Sequence, residues 1–247
     1  MKNKLAKIVP IVLGFALIIL LSCTDYQPME FPILTCGNRT QTYDPDKYEC
    51  RASTNPNGIY LKGGITDSRD GNTYDAVLIG EQVWMAQNLN YGLNNTGRCY
   101  DDDEANCTKY GRLYDWATAM KIEPKYNSET YTTYGQHTGI CPAGWHIPND
   151  AEWTTLVNFV GSNAGTKLKS ARSWYEDGIP GTDNYGFAAL PGGSFGFESS
   201  IGITGLWWSF TNEDNAAYSR YISFYEEEPS TIPSTKNILI SVRCVKD

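Results

Sequence analysis

The stretch Cys141-Pro142-Ala143-Gly144-Trp145-His146-Ile147-Pro148-Asn149-Asp150-Ala151-Glu152-Trp153 joins a turn, a strand and a helix start. Cys-Pro-Ala-Gly turns the chain. Trp145 and Ile147, at alternate positions, share one face of a short strand, His146 takes the other, and Pro148 stops the strand because it has no N–H to donate. Asn149 is placed as an N-cap and Glu152 completes a capping box. Trp153, Leu156, Val157 and Val160 then recur at helical spacing until Gly161 ends the run.

Upstream, Leu113, Trp116, Ala117 and Met120 follow the same i, i+3, i+4, i+7 rule and predict a first short helix over residues 110–120. Asp70-Gly71-Asn72 marks a turn between two runs of strand character, the second carrying Tyr74, Val77, Ile79, Val83 and Trp84. Downstream, residues 186–190, 206–210, 218–225 and 238–245 read as short strands among glycine turns. Trp207 and Trp208 are adjacent, so on a strand one ring is expected in the core and the other outside it. Strands, then two helices, then strands imply an α+β fold with an antiparallel sheet. Residues 24–57, with Pro28, Pro32, Pro45 and Pro56, read as a tether carrying a small disulfide loop. The folded domain is expected from about Gly58, over residues 58–247.

The N-terminus carries an address. Lys2, Lys4 and Lys7 precede an apolar run over residues 8–21 and then Ser22-Cys23, an export signal over residues 1–22 and not a membrane span. Leu21-Ser22-Cys23 resembles the lipobox of bacterial lipoproteins, which implies a lipid on Cys23. Acyl chains at about 0.8 kcal/mol per buried CH₂ would then supply the anchor. Removing the signal strips three of 20 basic residues and none of 28 acidic ones, leaving 17 against 28, or −11. Such a domain excludes nucleic acid as a partner and is repelled by anionic lipid, so membrane attachment falls to Cys23. The expected address is the cell envelope, at the outer membrane.

Six cysteines remain: Cys36, Cys50, Cys99, Cys107, Cys141 and Cys244. An even number in an exported chain implies disulfides. Fifteen connectivities are possible. Spacing favours Cys36 with Cys50, Cys99 with Cys107, and a long clasp from Cys141 to Cys244.

Several segments together resemble a known family. They are Gly71-Asn72-Thr73-Tyr74, Gln82-Val83-Trp84-Met85-Ala86-Gln87-Asn88-Leu89-Asn90, Tyr110-Gly111-Arg112-Leu113-Tyr114, the Cys141 to Pro148 stretch, Leu190-Pro191-Gly192-Gly193 and Ser241-Val242-Arg243-Cys244-Val245. In order and content they resemble the Fibrobacter succinogenes major paralogous domain, over about residues 63–245, a domain of exported lipoproteins in Fibrobacter and Bacteroidetes. The order is also similar to the C-type-lectin-like fold and its formylglycine-generating branch. The resemblance implies a twisted antiparallel sheet, two helices, and first and last strands brought together. It implies no activity.

Catalytic chemistry is thinly supplied. The chain has two histidines, His137 in a solvated loop and His146 in the scaffold, and neither has a metal-ligand spacing. Gly193-Ser194-Phe195-Gly196 is not a nucleophile elbow, and thiol oxidation needs accessible thiolates where all six cysteines can pair. No catalytic residue, no enzyme activity and no cofactor are expected. Weak calcium candidates are Asp101 and Asp103 in one acidic loop and Glu213 and Asp214 in another, without the spacing of a calcium loop. Sugar faces stack on rings, so Trp174, Tyr175, Tyr185, Phe195, Phe197 and Trp208 are the candidate ligand-binding residues. The expected function is a lipid-anchored, non-catalytic envelope module that binds a glycan or a surface protein. The competing reading is a structural or assembly component with no small ligand, and a formylglycine-generating-like enzyme comes third.

Overall fold

Strand formation begins inside the expected tether. β1 (Tyr48–Arg51) pairs antiparallel with β2 (Gly58–Leu61), with Cys50 opposite Ile59. The computed structural model describes residues 36, 41–51, 58–132, 135–196 and 200–247, all in one unit, Ile33–Asp247. The expected signal (residues 1–22), Cys23, most of the tether and Phe197 lie outside the described residues.

β3 (Ile65–Thr66) and β4 (Thr73–Tyr74) form a two-stranded ribbon around the Asp70-Gly71-Asn72 turn. β5 (Ala76–Ile79) and β6 (Gln82–Met85) follow as a hairpin. The helix expected over 110–120 is instead split. α1 (Glu104–Tyr110) starts on the Asp103 cap and stops at Gly111, whose φ of 78° suits glycine and where a Cβ would come 2.7 Å from that of Asn88. Leu113 then enters a strand, β7 (Leu113–Tyr114), and the helix resumes only as α2 (Trp116–Met120) behind its own cap, Asp115. The periodicity was real for Trp116, Ala117 and Met120; Leu113 shares their spacing through burial alone.

β8 (Trp145–His146) leads into α3 (Asp150–Val160), which carries the expected Asn149/Glu152 capping box and ends at Gly161. α4 (Ala164–Leu168) follows, so the described residues hold four short α-helices where two were expected. β9 (Thr204–Glu213) and β10 (Ala216–Ser223) form a long hairpin, β11 (Ser230–Thr235) lines its edge, and β12 (Ile240–Ser241) and β13 (Val245–Lys246) close the chain. Pro233 in β11 hides that strand in the sequence, yet an edge strand tolerates the missing donor. The run 186–190 forms no strand beyond one bridge from Ala189 to Lys169. The Phe187 and Ala188 carbonyls accept instead from the Arg243 guanidinium.

The strands make two larger sheets and one ribbon, not one sheet. One sheet has the order β1-β2-β5-β6-β13-β8 and the other β11-β10-β9-β12-β7. Pairing is antiparallel except where Ser241 on β12 runs parallel to Trp207 on β9. Opening and closing strands share a sheet, with Val245 on β13 between Trp84 and His146. β9 lies between two cores. Trp208 packs with Trp116, Trp145 and Ile147, and Trp207 with Trp84, Trp153 and Phe187. Both rings are 0 % exposed, which corrects the expectation that one would face outward. The alternation is obeyed, but both faces of this strand are covered. The structure is thus mixed α+β, mostly sheet, with three disulfides: Cys36–Cys50, Cys99–Cys107 and Cys141–Cys244.

Candidate functional site

The candidate aromatics do not gather in one place. Trp208 is consumed by the core, its Nε1 donating to the Tyr114 carbonyl at 2.7 Å. Trp174 is half-buried and donates to the Ala189 carbonyl at 3.0 Å. Tyr175 is exposed and meets Phe224 edge-on at 5.7 Å. Tyr185 meets Phe159 at 6.1 Å. Phe195 is exposed with the Arg98 guanidinium 4.2 Å over its ring.

The acidic candidates have structural employment. The Asp103 side chain caps α1 by accepting from Ala105 N at 2.9 Å. Asp101 takes a left-handed turn (φ 55°) beside Asp102, which pairs with Arg98 at 2.6 Å. Glu213 accepts from the Tyr218 hydroxyl at 2.9 Å, and Asp214 forms the β9–β10 turn with its carbonyl on Lys236 Nζ at 2.9 Å. The grouping of Cys99, Glu104 and Cys107 is no metal site, because both sulfurs are spent in a disulfide.

Buried cations occupy the loops instead. Lys236 Nζ, 0 % exposed, donates to the Glu129 and Asp214 carbonyls and to Asn212 Oδ1 at 2.9–3.0 Å, with the Trp116 ring 4.5 Å away. Burial pulls its pKa down. Lys169 Nζ is held likewise by the carbonyls of Ile179, Ser223 and Glu226 at 2.9–3.3 Å. Each ammonium does what a bound cation would do there, gathering carbonyl dipoles from separate loops.

His137 is half-buried, not solvated, with Nε2 2.6 Å from the Met120 carbonyl. His146, 1 % exposed, bridges Asp247 through Nδ1 and Glu152 through Nε2, both at 2.7 Å. A neutral imidazole has one N–H, so only the imidazolium can donate to both carboxylates. Burial alone would push the His146 pKa down, but the hydrogen bonds to Glu152 and Asp247 prevail and raise it above the usual 6.5. With the folded value above the unfolded one, the stabilisation is complete below about pH 6.5 and is lost as pH rises through the folded value. Denaturant midpoints measured across that window should fall with pH in the native chain, and His146→Gln should remove the fall. An unchanged slope in the variant would show that the node does not titrate.

Concave surface is found elsewhere. A groove of about 650 Å³ is lined by Gln41, Thr42, Ile79, Gly80, Glu81, Thr155 and Phe159. Phe159 leaves the outer face of α3 and is 43 % exposed. Gly80, at the β5–β6 turn (φ 63°), makes room for that ring, since a Cβ there would sit 2.9 Å from Phe159 Cδ2. The opposite wall is the arm held by the Cys36–Cys50 disulfide, and Gln41 Nε2 docks it on the Gly80 carbonyl at 3.0 Å. A second cleft, about 350 Å³, is lined by Asn72, Thr73, Gln87, Asn90, Thr108 and Lys109 among others. It has amides but no exposed ring, for Tyr74 is buried and its hydroxyl accepts from Asn90 N. Of the sequence candidates among the described residues, only Tyr185 stands beside the larger groove, through its contact with Phe159. Phe159 lies one position short of the helical stripe, and an aromatic there was a legible signal.

The model of the Fibrobacter succinogenes major domain matches residues 77–246. Comparison with curated proteins and with solved structures finds no match. The matched span begins within β5 and runs to β13, taking in the whole β11-β10-β9-β12-β7 sheet, the other sheet without β1 and β2, the Cys141–Cys244 clasp and the Phe159 wall of the groove but not its Gln41–Thr42 wall. By that match over more than half its length, the chain belongs to the Fibrobacter succinogenes major domain family.

Proposed function

We propose that this protein is a non-catalytic binding module of the cell envelope, anchored in the outer membrane by lipid on Cys23, which grips a glycan in the groove between Phe159 and the N-terminal arm. One observation carries the reading: the exposed Phe159 ring shares a groove with Gln41, Thr42, Glu81 and Thr155. Sugar C–H faces pack on rings while hydroxyls need amide, hydroxyl or carboxylate partners, and about 650 Å³ lies within the 300–1,000 Å³ usual for ligand sites. The Leu-Ser-Cys sequence supports the anchor. We further propose a C-type-lectin-like fold, supported by opening and closing strands in one sheet and by the Cys141–Cys244 clasp between the segments that lead into β8 and β13.

The full chain in detergent should be retained on envelope polysaccharides, with or without calcium, and Phe159→Ala should weaken retention roughly tenfold. In cells, labelled palmitate should enter the native chain, and Cys23→Ala should leave the membrane fraction. Equal retention of native chain and Phe159→Ala, or none by either, would overturn the groove and favour a structural role in the envelope.

A further inference from the structure

Rings in this protein are repeatedly met by cations. Arg51 lies 4.1 Å from the Tyr60 ring centre, Arg69 4.0 Å from Tyr91, Arg98 4.2 Å from Phe195 and Lys236 4.5 Å from Trp116. The cluster of Tyr175, Phe224 and Tyr225, like Phe159 and the buried Trp84 and Trp153, lacks such a cation. Tyr175 meets Phe224 edge-on at 5.7 Å, and Phe224 meets Tyr225 edge-on at 5.1 Å. Tyr175 and Tyr225 are 54 % and 58 % exposed, the highest of the exposed large hydrophobic side chains among the described residues. Among those residues no lysine or arginine lies over any of the three rings.

The residues that directly follow Tyr175 and Tyr225 are acidic, and the nearest exposed cation in the sequence is Arg172, three positions before Tyr175. Glu176 and Asp177 follow Tyr175, and Glu226, Glu227 and Glu228 follow Tyr225. Glu228 is used internally, accepting from Asn163 N and Ala164 N at the start of α4. Glu176, Asp177 and Glu227 make no ion pair among the described residues, whereas Glu226 turns Oε2 inward, where it is buried without a hydrogen bond. The two segments are held side by side: Ile179 N donates to the Phe224 carbonyl at 2.7 Å, and Lys169 Nζ donates to the carbonyls of Ile179 and Glu226. Lys169 is fully buried beneath the loops and offsets only part of their charge. The surface therefore has a fixed base, with aromatic rings at its centre and the exposed carboxylates of Glu176, Asp177 and Glu227 in the segments beside them.

We propose that the Tyr175–Phe224–Tyr225 face is a docking surface for a lysine- or arginine-bearing segment of another protein. A ring face attracts ammonium or guanidinium through its quadrupole, and the flanking carboxylates complete the hydrogen bonds of the cation. A neutral glycan would stack on the rings but leave the carboxylates without counter-charge, and an anionic polymer would be repelled. The surface is separate from the Phe159 groove, and Tyr175 moves from sugar candidate to cation platform.

Fluorescence anisotropy of labelled peptides against the full chain in detergent tests this. A peptide of alternating lysine and glycine, and its arginine counterpart, should bind and weaken with salt, whereas the glutamate counterpart should not bind. Tyr175→Ala with Tyr225→Ala should weaken binding about tenfold. Glu176→Gln with Asp177→Asn should weaken it comparably, while Asp46→Asn with Asp101→Asn, an equal charge change elsewhere, should not. An unchanged melting transition shows that the variants are folded. Full binding by the ring double variant would mean diffuse attraction to an acidic protein and would overturn the proposal. So would absence of peptide binding, or displacement of the peptide by a neutral oligosaccharide.

Discussion

Replacing Cys141 and Cys244 together by alanine is expected to cost about 4.7 kcal/mol of stability, the largest effect of any cysteine pair. The two are 103 residues apart in sequence, and in the chain-entropy account closure of a loop near 100 residues restricts the unfolded chain by about that amount. Separations of 14 and 8 residues for the other two pairs give about 3 kcal/mol or less. Native packing adds to the cost, since both side chains are buried in the larger core. Denaturant unfolding of the three double-alanine variants checks the order. A clasp variant no weaker than the Cys99/Cys107 one would show that the long closure adds nothing.

Arg243→Met is expected to cost about 3–5 kcal/mol, although exchanging a buried charge for an apolar side chain is often nearly neutral. The difference lies in what stays behind. The guanidinium, 0 % exposed, donates to Asn88 Oδ1 from Nε at 3.2 Å and from Nη2 at 2.6 Å, and to the carbonyls of Phe187 and Ala188. Those carbonyls belong to the backbone and remain, buried and without a donor, whatever side chain replaces arginine. Asn88 spreads the damage: its Oδ1 also accepts from Trp207 Nε1 at 2.8 Å, and its Nδ2 donates to the Tyr110 carbonyl at 2.7 Å. Burial pulls the Arg243 pKa down to about 9, so the cation persists at neutral pH. Arg243→Lys should rescue little, because one ammonium cannot reproduce the fork. A methionine variant within about 1 kcal/mol of the native chain would refute this account.

Local chemistry was legible in the chain. The Asn149/Glu152 capping box, the Gly161 stop and the Asp70-Gly71-Asn72 turn each depend on residues within a few positions of one another, and each stands where the sequence puts it. The disulfide pairs were favoured by spacing alone and are the ones formed. The acidic character follows from the count of charges, and the proposed export and anchor rest on Lys2, Lys4, Lys7 and Cys23.

What needed the tertiary structure was every decision made by a second layer. Alternation says that Trp207 and Trp208 face opposite ways, but only the packing of β9 between two cores says that neither meets solvent. The spacing of Leu113 fits a helix, and Gly111 pressed against Asn88 with a second cap at Asp115 breaks it. Nothing local marks Lys169, Lys236 and Arg243 as buried; loops distant in sequence close carbonyls around them. The groove shows the same division. Phe159 lies inside the family domain and Gln41 outside it, 118 positions earlier, and a wall made by long-range docking leaves no local period in either segment.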